Sequence, residues 1–160
     1  MAESLRERSI VALTALLAGM TGTRHWGGAY PNTLRVERTL WHPEVATQLP
    51  LLCVIEGADD GPRSTFRIEE TVGSQISIRH DLRLLVAGIV EDRDGVSGQT
   101  WLQRLWFDVV KTILAGSTLS GLVSAVRLGD ELTTDEGTLA PRAAFVQAVS
   151  IDCSETMDTD

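Results

Sequence analysis

The order of apolar patterns along the chain predicts an α+β domain. Its mainly antiparallel or mixed sheet carries two helices packed on one face and a projecting β-hairpin arm. Three observations predict it. Segments 3–20 and 100–116 repeat apolar residues every three or four positions, the period of a helix. Several shorter segments alternate or run apolar over strand lengths. One of them, 76–90, holds a single parity for about fifteen residues, on the order of 50 Å of strand. A domain of 160 residues is not that wide.

Taking the elements in order, Leu5, Ile10, Leu13, Leu17 and Met20 mark one face of the first helix, widened by Val11 and Leu16. Ser4 with Glu7 three positions on is a capping box, and Gly19 or Gly22 can end the helix. Residues 21–32 (TGTRHWGGAYPN) concentrate loop formers around Trp26 and Tyr30. A short strand follows over 34–40, ending before Trp41, His42 and Pro43. The apolar run 51–55 is a second, more buried strand.

Residues 59–62 (DDGP) turn the chain, 64–70 alternate through Phe66 and Ile68, and Val72-Gly73 turns it again. The return limb carries Ile76, Ile78, His80, Leu82, Leu84, Val86 and Val90 on one parity. Its inner half, from Leu82, is expected in the core, and its outer half pairs with 64–70 to form the arm, residues 64–80. Thr100 with Gln103 is expected to open the second helix, whose stripe is Trp101, Leu102, Leu105, Trp106, Val109, Val110, Ile113 and Leu114. Gly116 supplies its stop. Strands 122–128 and 143–151 then flank the acidic loop TTDEGTLAP and form an antiparallel pair. The whole reads as one domain, 1–153, with an acidic tail at 154–160.

Composition narrows the function. The 14 basic and 22 acidic side chains leave a net charge of -8, which repels a phosphate backbone unless a basic patch is concentrated locally. Arg79, Arg83 and Arg93 with His80 come closest, but Asp81, Glu91 and Asp92 interrupt them, as on a solvated strand edge. The run 9–20 (SIVALTALLAGM) has the look of a signal-peptide core. The segment before it lacks positive bias, because Glu3 and Glu7 offset Arg6 and Arg8, and the run is short of the ~20 residues a bilayer requires. No membrane association is expected. Cys53 and Cys153 each sit in an apolar run, as small buried hydrophobes in a reducing compartment, with a single bridge between them as the alternative.

Chemistry finds little footing. The glycines of TLSGLVSAVRLGD, residues 118–130, follow a helix and precede a strand, so carbonyl oxygens rather than N–H groups face any anion there. His25, His42 and His80 are scattered, the cysteines form no C-x-x-C pair, and no G-x-S-x-G elbow occurs. Acid pairs Asp59-Asp60, Glu69-Glu70 and Asp135-Glu136 suit solvated turns and strands. No catalytic residue, cofactor or metal is expected. Four tryptophans against one tyrosine and three phenylalanines put weight on one ring type, and Trp101 and Trp106, five apart, cannot both point into one core.

A helix ending in ILAG, then TLSGLVSAVRLGD, an acidic TTDEG, a proline and a closing strand AAFVQAVSI form a sequence of features that resembles the tail terminator (tail completion) proteins of long-tailed bacteriophages. The N-terminal helix, the strand from Leu34 and LPLLCVIEG before a hairpin fit the same plan. The resemblance implies a non-enzymatic virion protein of the tail or neck, assembled in the host cytoplasm. It would form a homo-oligomeric ring, typically a hexamer, that ends polymerisation of the tail tube protein and offers a docking surface to the head–tail connector or neck protein. DNA would pass through such a ring without sequence-specific binding. Phe66, Ile68, Ile76 and Ile78 are the candidate subunit-interface residues, and Asp130, Glu131, Asp135 and Glu136 the candidate acidic residues of lumen or loop. The long segment 24–42 is less typical of that family. The alternatives are another head–tail connector, neck or minor tail protein, or a small enzyme working through the acidic-loop carboxylates.

Overall fold

The computed structural model describes residues 3–20, 35–38, 46–56, 63–134 and 139–158. Trp26, Tyr30, Trp41, His25, His42, Asp59, Asp60, Asp135 and Glu136 lie outside the described residues.

Helix α1 spans Leu5–Ala18, and the Ser4 hydroxyl accepts the Glu7 N–H at 3.2 Å, as the capping pattern predicts. Leu5, Ile10, Leu13 and Leu17 are buried, so the apolar run beginning at Ser9 is a core helix of the domain; Val11, expected on that stripe, is exposed. Among the described residues no helix is long and apolar enough to cross a membrane. Strands β1 (Arg35–Glu37), β2 (Leu51–Glu56), β3 (Thr65–Val72) and β4 (Gln75–Glu91) follow, then α2 (Gly98–Ala115), β5 (Ala125–Thr133) and β6 (Arg142–Asp158). The fold is α+β. Its mixed sheet runs β1-β2-β4-β6-β5, with β3 also on β4; β1 and β2 are parallel and the other pairs antiparallel.

Two starts move from their expected places. Helix α2 begins earlier than Thr100, because Ser97 accepts the Thr100 N–H at 3.2 Å while Asp92 accepts that of Gly98 at 2.5 Å. Strand β5 begins at Ala125 rather than at residue 122, because the chain first makes a left-handed turn in which Leu119, Ser120 and Gly121 have φ of 47°, 59° and 85°. Gly116, with φ of -106°, ends α2 beside α1; a Cβ there would lie 2.8 Å from Leu16 Cδ2.

The main core lies between the helices and one face of the sheet. It gathers Ile10, Leu13 and Leu17 of α1, Leu102, Leu105, Val109 and Ile113 of α2, and Leu82, Leu84, Val86, Phe145 and Ile151 of β4 and β6. The opposite face has its own cluster, in which Leu51, Cys53, Ile55, Ala87, Ile89 and Ala144 are buried with Leu49. This explains the unbroken apolar run of β2, whose alternate residues serve different faces. Cys53 belongs to one cluster and Cys153 to the other, so the sheet itself keeps the two free thiols apart.

Candidate functional site

Strand β4 is divided at Leu82, as its length predicts: from Leu82 to Val90 most residues are buried, whereas none of 75–81 is. The outer stretch is nevertheless fully paired, with β3 on one edge and β6 on the other. Here the expected acidic tail is corrected. Residues 154–158 continue β6, opposite 75–79, because an unpaired outer limb of β4 offers them a row of backbone donors and acceptors. The expected two-stranded arm is therefore a three-stranded sheet extension.

The extension has two unlike faces, because directly opposed residues of antiparallel strands share a face. On the helix side, Phe66 stands opposite His80 and Ile68 opposite Ile78, while Ile76 stands opposite Met157. All four interface candidates named from the sequence thus come together on this one face. Phe66 and Ile68 are 70% and 59% exposed, an unusual degree for such side chains on a paired strand. A bulge after Ile68 shifts the register so that Thr71, and not Val72, joins Ile76. The Phe66 and His80 rings lie 6.4 Å apart, and His80 Nε2 is 2.7 Å from Glu155 Oε1.

The other face is charged. Arg67 is opposite Arg79, Asp81 is opposite Asp152, and Arg83, Ser150 and Arg127 stand side by side across three strands. Together they line a shallow groove of about 310 Å³. The arginines do not form the basic patch that phosphates need, since carboxylates lie between them. Arg79 grips Asp152 through two bonds, one of 2.9 Å from Nε, and Arg83 donates twice to Asp81 Oδ2, at 3.1 and 2.7 Å. The Arg79 guanidinium beside it, with the charges of Arg127 and Arg67, holds the Asp152 carboxyl below its ordinary 3.8. Sequence proximity joined Arg93 to Arg79 and Arg83, but Arg93 lies past the inner end of β4, and Arg67 and Arg127 take its place. No linear pattern signals that grouping.

Of the acidic candidates, two fall within the described residues. Asp130 and Glu131 are exposed on β5, at a bulge between Leu128 and Glu131 that Gln147 fills from β6. Among the described residues no group of His, Cys, Asp and Glu side chains is arranged to hold a metal ion. Trp101 is buried, its indole donating to Arg93 O at 3.1 Å with the Arg104 guanidinium 5.0 Å over its ring; Trp106 is only partly buried, at the edge of the stripe. No protein-family model matches the chain, and no curated protein matches it.

Proposed function

We propose that this chain is a structural subunit that closes into a ring, caps the tail tube of a long-tailed bacteriophage, ends its polymerisation and presents the head-docking surface. The observation that carries the reading is the apolar face of the sheet extension. Phe66, Ile68, Ile76 and Ile78 stand together on it. Leaving that face in water is unfavourable by roughly 25 cal/mol for each Å² of apolar surface, so covering it with another subunit stabilises an assembly. The family resemblance of the 118–151 segment supplies the setting, and the ring is expected to be a hexamer. Asp130 and Glu131, with a net charge of -8, suit a passage along which DNA moves without being gripped.

Native mass spectrometry of the purified chain tests the first half of this reading, the expected result being a single closed oligomer. Electron micrographs of tube protein polymerised with and without the chain test the second half: tubes should stop growing and carry a ring at one end. A monomer that leaves tube length unchanged would overturn the assignment. Ile76→Asp should abolish the oligomer by light scattering while the fold persists.

A further inference from the structure

The apolar face of the sheet extension also holds a titratable pair. His80 stands opposite both Phe66 of β3 and Cys153 of β6, and its Nε2 lies 2.7 Å from Oε1 of Glu155, the residue opposite Ile78. The pair is thus set among Phe66, Ile68 and Ile78, the side chains that the ring reading covers with another subunit. Little of it meets water even in one subunit: the His80 side chain is 17% exposed and that of Glu155 26%. The charges of neighbouring elements are engaged elsewhere. Glu69 pairs with Arg67 and Arg79 of the charged face, and α1 directs Arg6 to Glu56 and Glu7 to Arg38. The Cys153 thiol, beside Ser9 of α1, is raised by burial and so stays neutral. Among the described residues, His80 is the one group able to become a cation that bonds Glu155.

We propose that covering this face with another subunit takes up a proton on the His80–Glu155 pair, so that ring assembly strengthens as pH falls from about 8 to about 6. This rests on the ring reading above and adds its regulation. Without that proton the pair carries one net negative charge, an ionised carboxylate beside a neutral imidazole. Water hydrates the charge in a free subunit, whereas under a second subunit it loses that water and no other cation replaces it. With the proton, the pair is neutral overall and hydrogen-bonded, so covering it costs less. The proton belongs to the pair, whichever atom carries it. Linkage then fixes the sign: the covered state holds more protons than the free one, so association weakens as pH rises.

The test compares the protein concentration at half-assembly at about pH 6 and about pH 8, read by light scattering on the full chain. The unaltered chain should need roughly tenfold more protein at the higher pH. Glu155→Gln removes the charge that has to be covered, so at the higher pH it should assemble as readily as the unaltered chain does at the lower, and the trend with pH should vanish or invert. His80→Gln leaves the carboxylate without its partner, so at the lower pH it should assemble only as weakly as the unaltered chain does at the higher. Circular dichroism first shows whether both variants fold. If one does not, the heat of diluting the unaltered ring in two buffers of unlike ionisation enthalpy counts the protons released on dissociation, and a count of zero would overturn the inference. Rings equally strong at both pH values, or stronger at the higher, would overturn it while leaving the ring itself standing. No ring at either pH would overturn both.

Discussion

The indole N–H of Trp106, on α2, donates to Oε1 of Gln147 at 3.0 Å, tying a helix to the middle of the longest strand pair. Gln147 is only 2% exposed, and its Nε2 donates onward to Gly129 O at 2.8 Å, in the bulge of β5. One side chain thus satisfies both the tryptophan and the carbonyls that the bulge takes out of the ladder. Gln147→Leu should destabilise the domain by about 1–3 kcal/mol in urea unfolding, because the carbonyls and the indole lose their partner together. Trp106→Phe, which removes the indole donor and leaves Gln147 bound to the bulge, should lose less.

Gly88 and Phe145 face each other across β4 and β6, and a Cβ on Gly88 would stand 2.2 Å from Phe145 Cε1. The ring cannot yield, being fully buried in the main core. Gly88→Ala should therefore reduce stability by about 1–3 kcal/mol through overpacking. In a Phe145→Leu background the same substitution should lose distinctly less, a coupling that a double-mutant cycle measures. Equal losses in both backgrounds would contradict the clash.

Ser120 has φ of 59° next to Gly121 at 85°, so a non-glycine residue bears a left-handed backbone in the joint between α2 and β5. Ser120→Gly should raise stability by up to about 1 kcal/mol, and Gly121→Ala should lower it by about 1–2 kcal/mol, both read from thermal melting.

Asp152 is held below its ordinary 3.8 by Arg79, so its folded form binds a proton less readily than its unfolded form. Such a group contributes stability that is fully present above the unfolded value and is lost as pH falls through the lower, folded one. Stability should fall on acidification below about pH 4. Arg79→Gln should flatten that part of the pH profile and leave the slope between pH 6 and 8 unchanged.

Burial pushes the Cys53 thiol up to about 11, and Cys153 is raised by the same cause. Neither should react with a thiol reagent at pH 8 until the domain unfolds, so reactivity and urea unfolding should follow one curve. Reaction of either cysteine in the folded protein would show that its cluster opens locally.

Much of this was legible in the residues themselves. The stripes of α1 and α2, except Val11 and Leu114, which are exposed, follow from a period of 3.6. The division of β4 at Leu82 and the shared face of Phe66, Ile68, Ile76 and Ile78 follow from a period of 2.0, while the cap at Ser4 follows from its own short pattern. These are local properties, set by neighbours a few positions away, and composition and sequence together already placed the glycines of residues 118–130 at the wrong end of a helix to hold phosphate. Only the tertiary structure decided what depends on pairing. Residues 154–158 look like a polar tail until the far limb of β4, some 75 positions earlier, offers them an edge. Likewise Arg127 joins Arg83 only across Ser150, and Gln147 finds its purpose only where β5 bulges. A side chain's own preferences choose helix or strand, but the partner that satisfies its backbone or its charge comes from a distant part of the chain, and only the closed fold brings the two together.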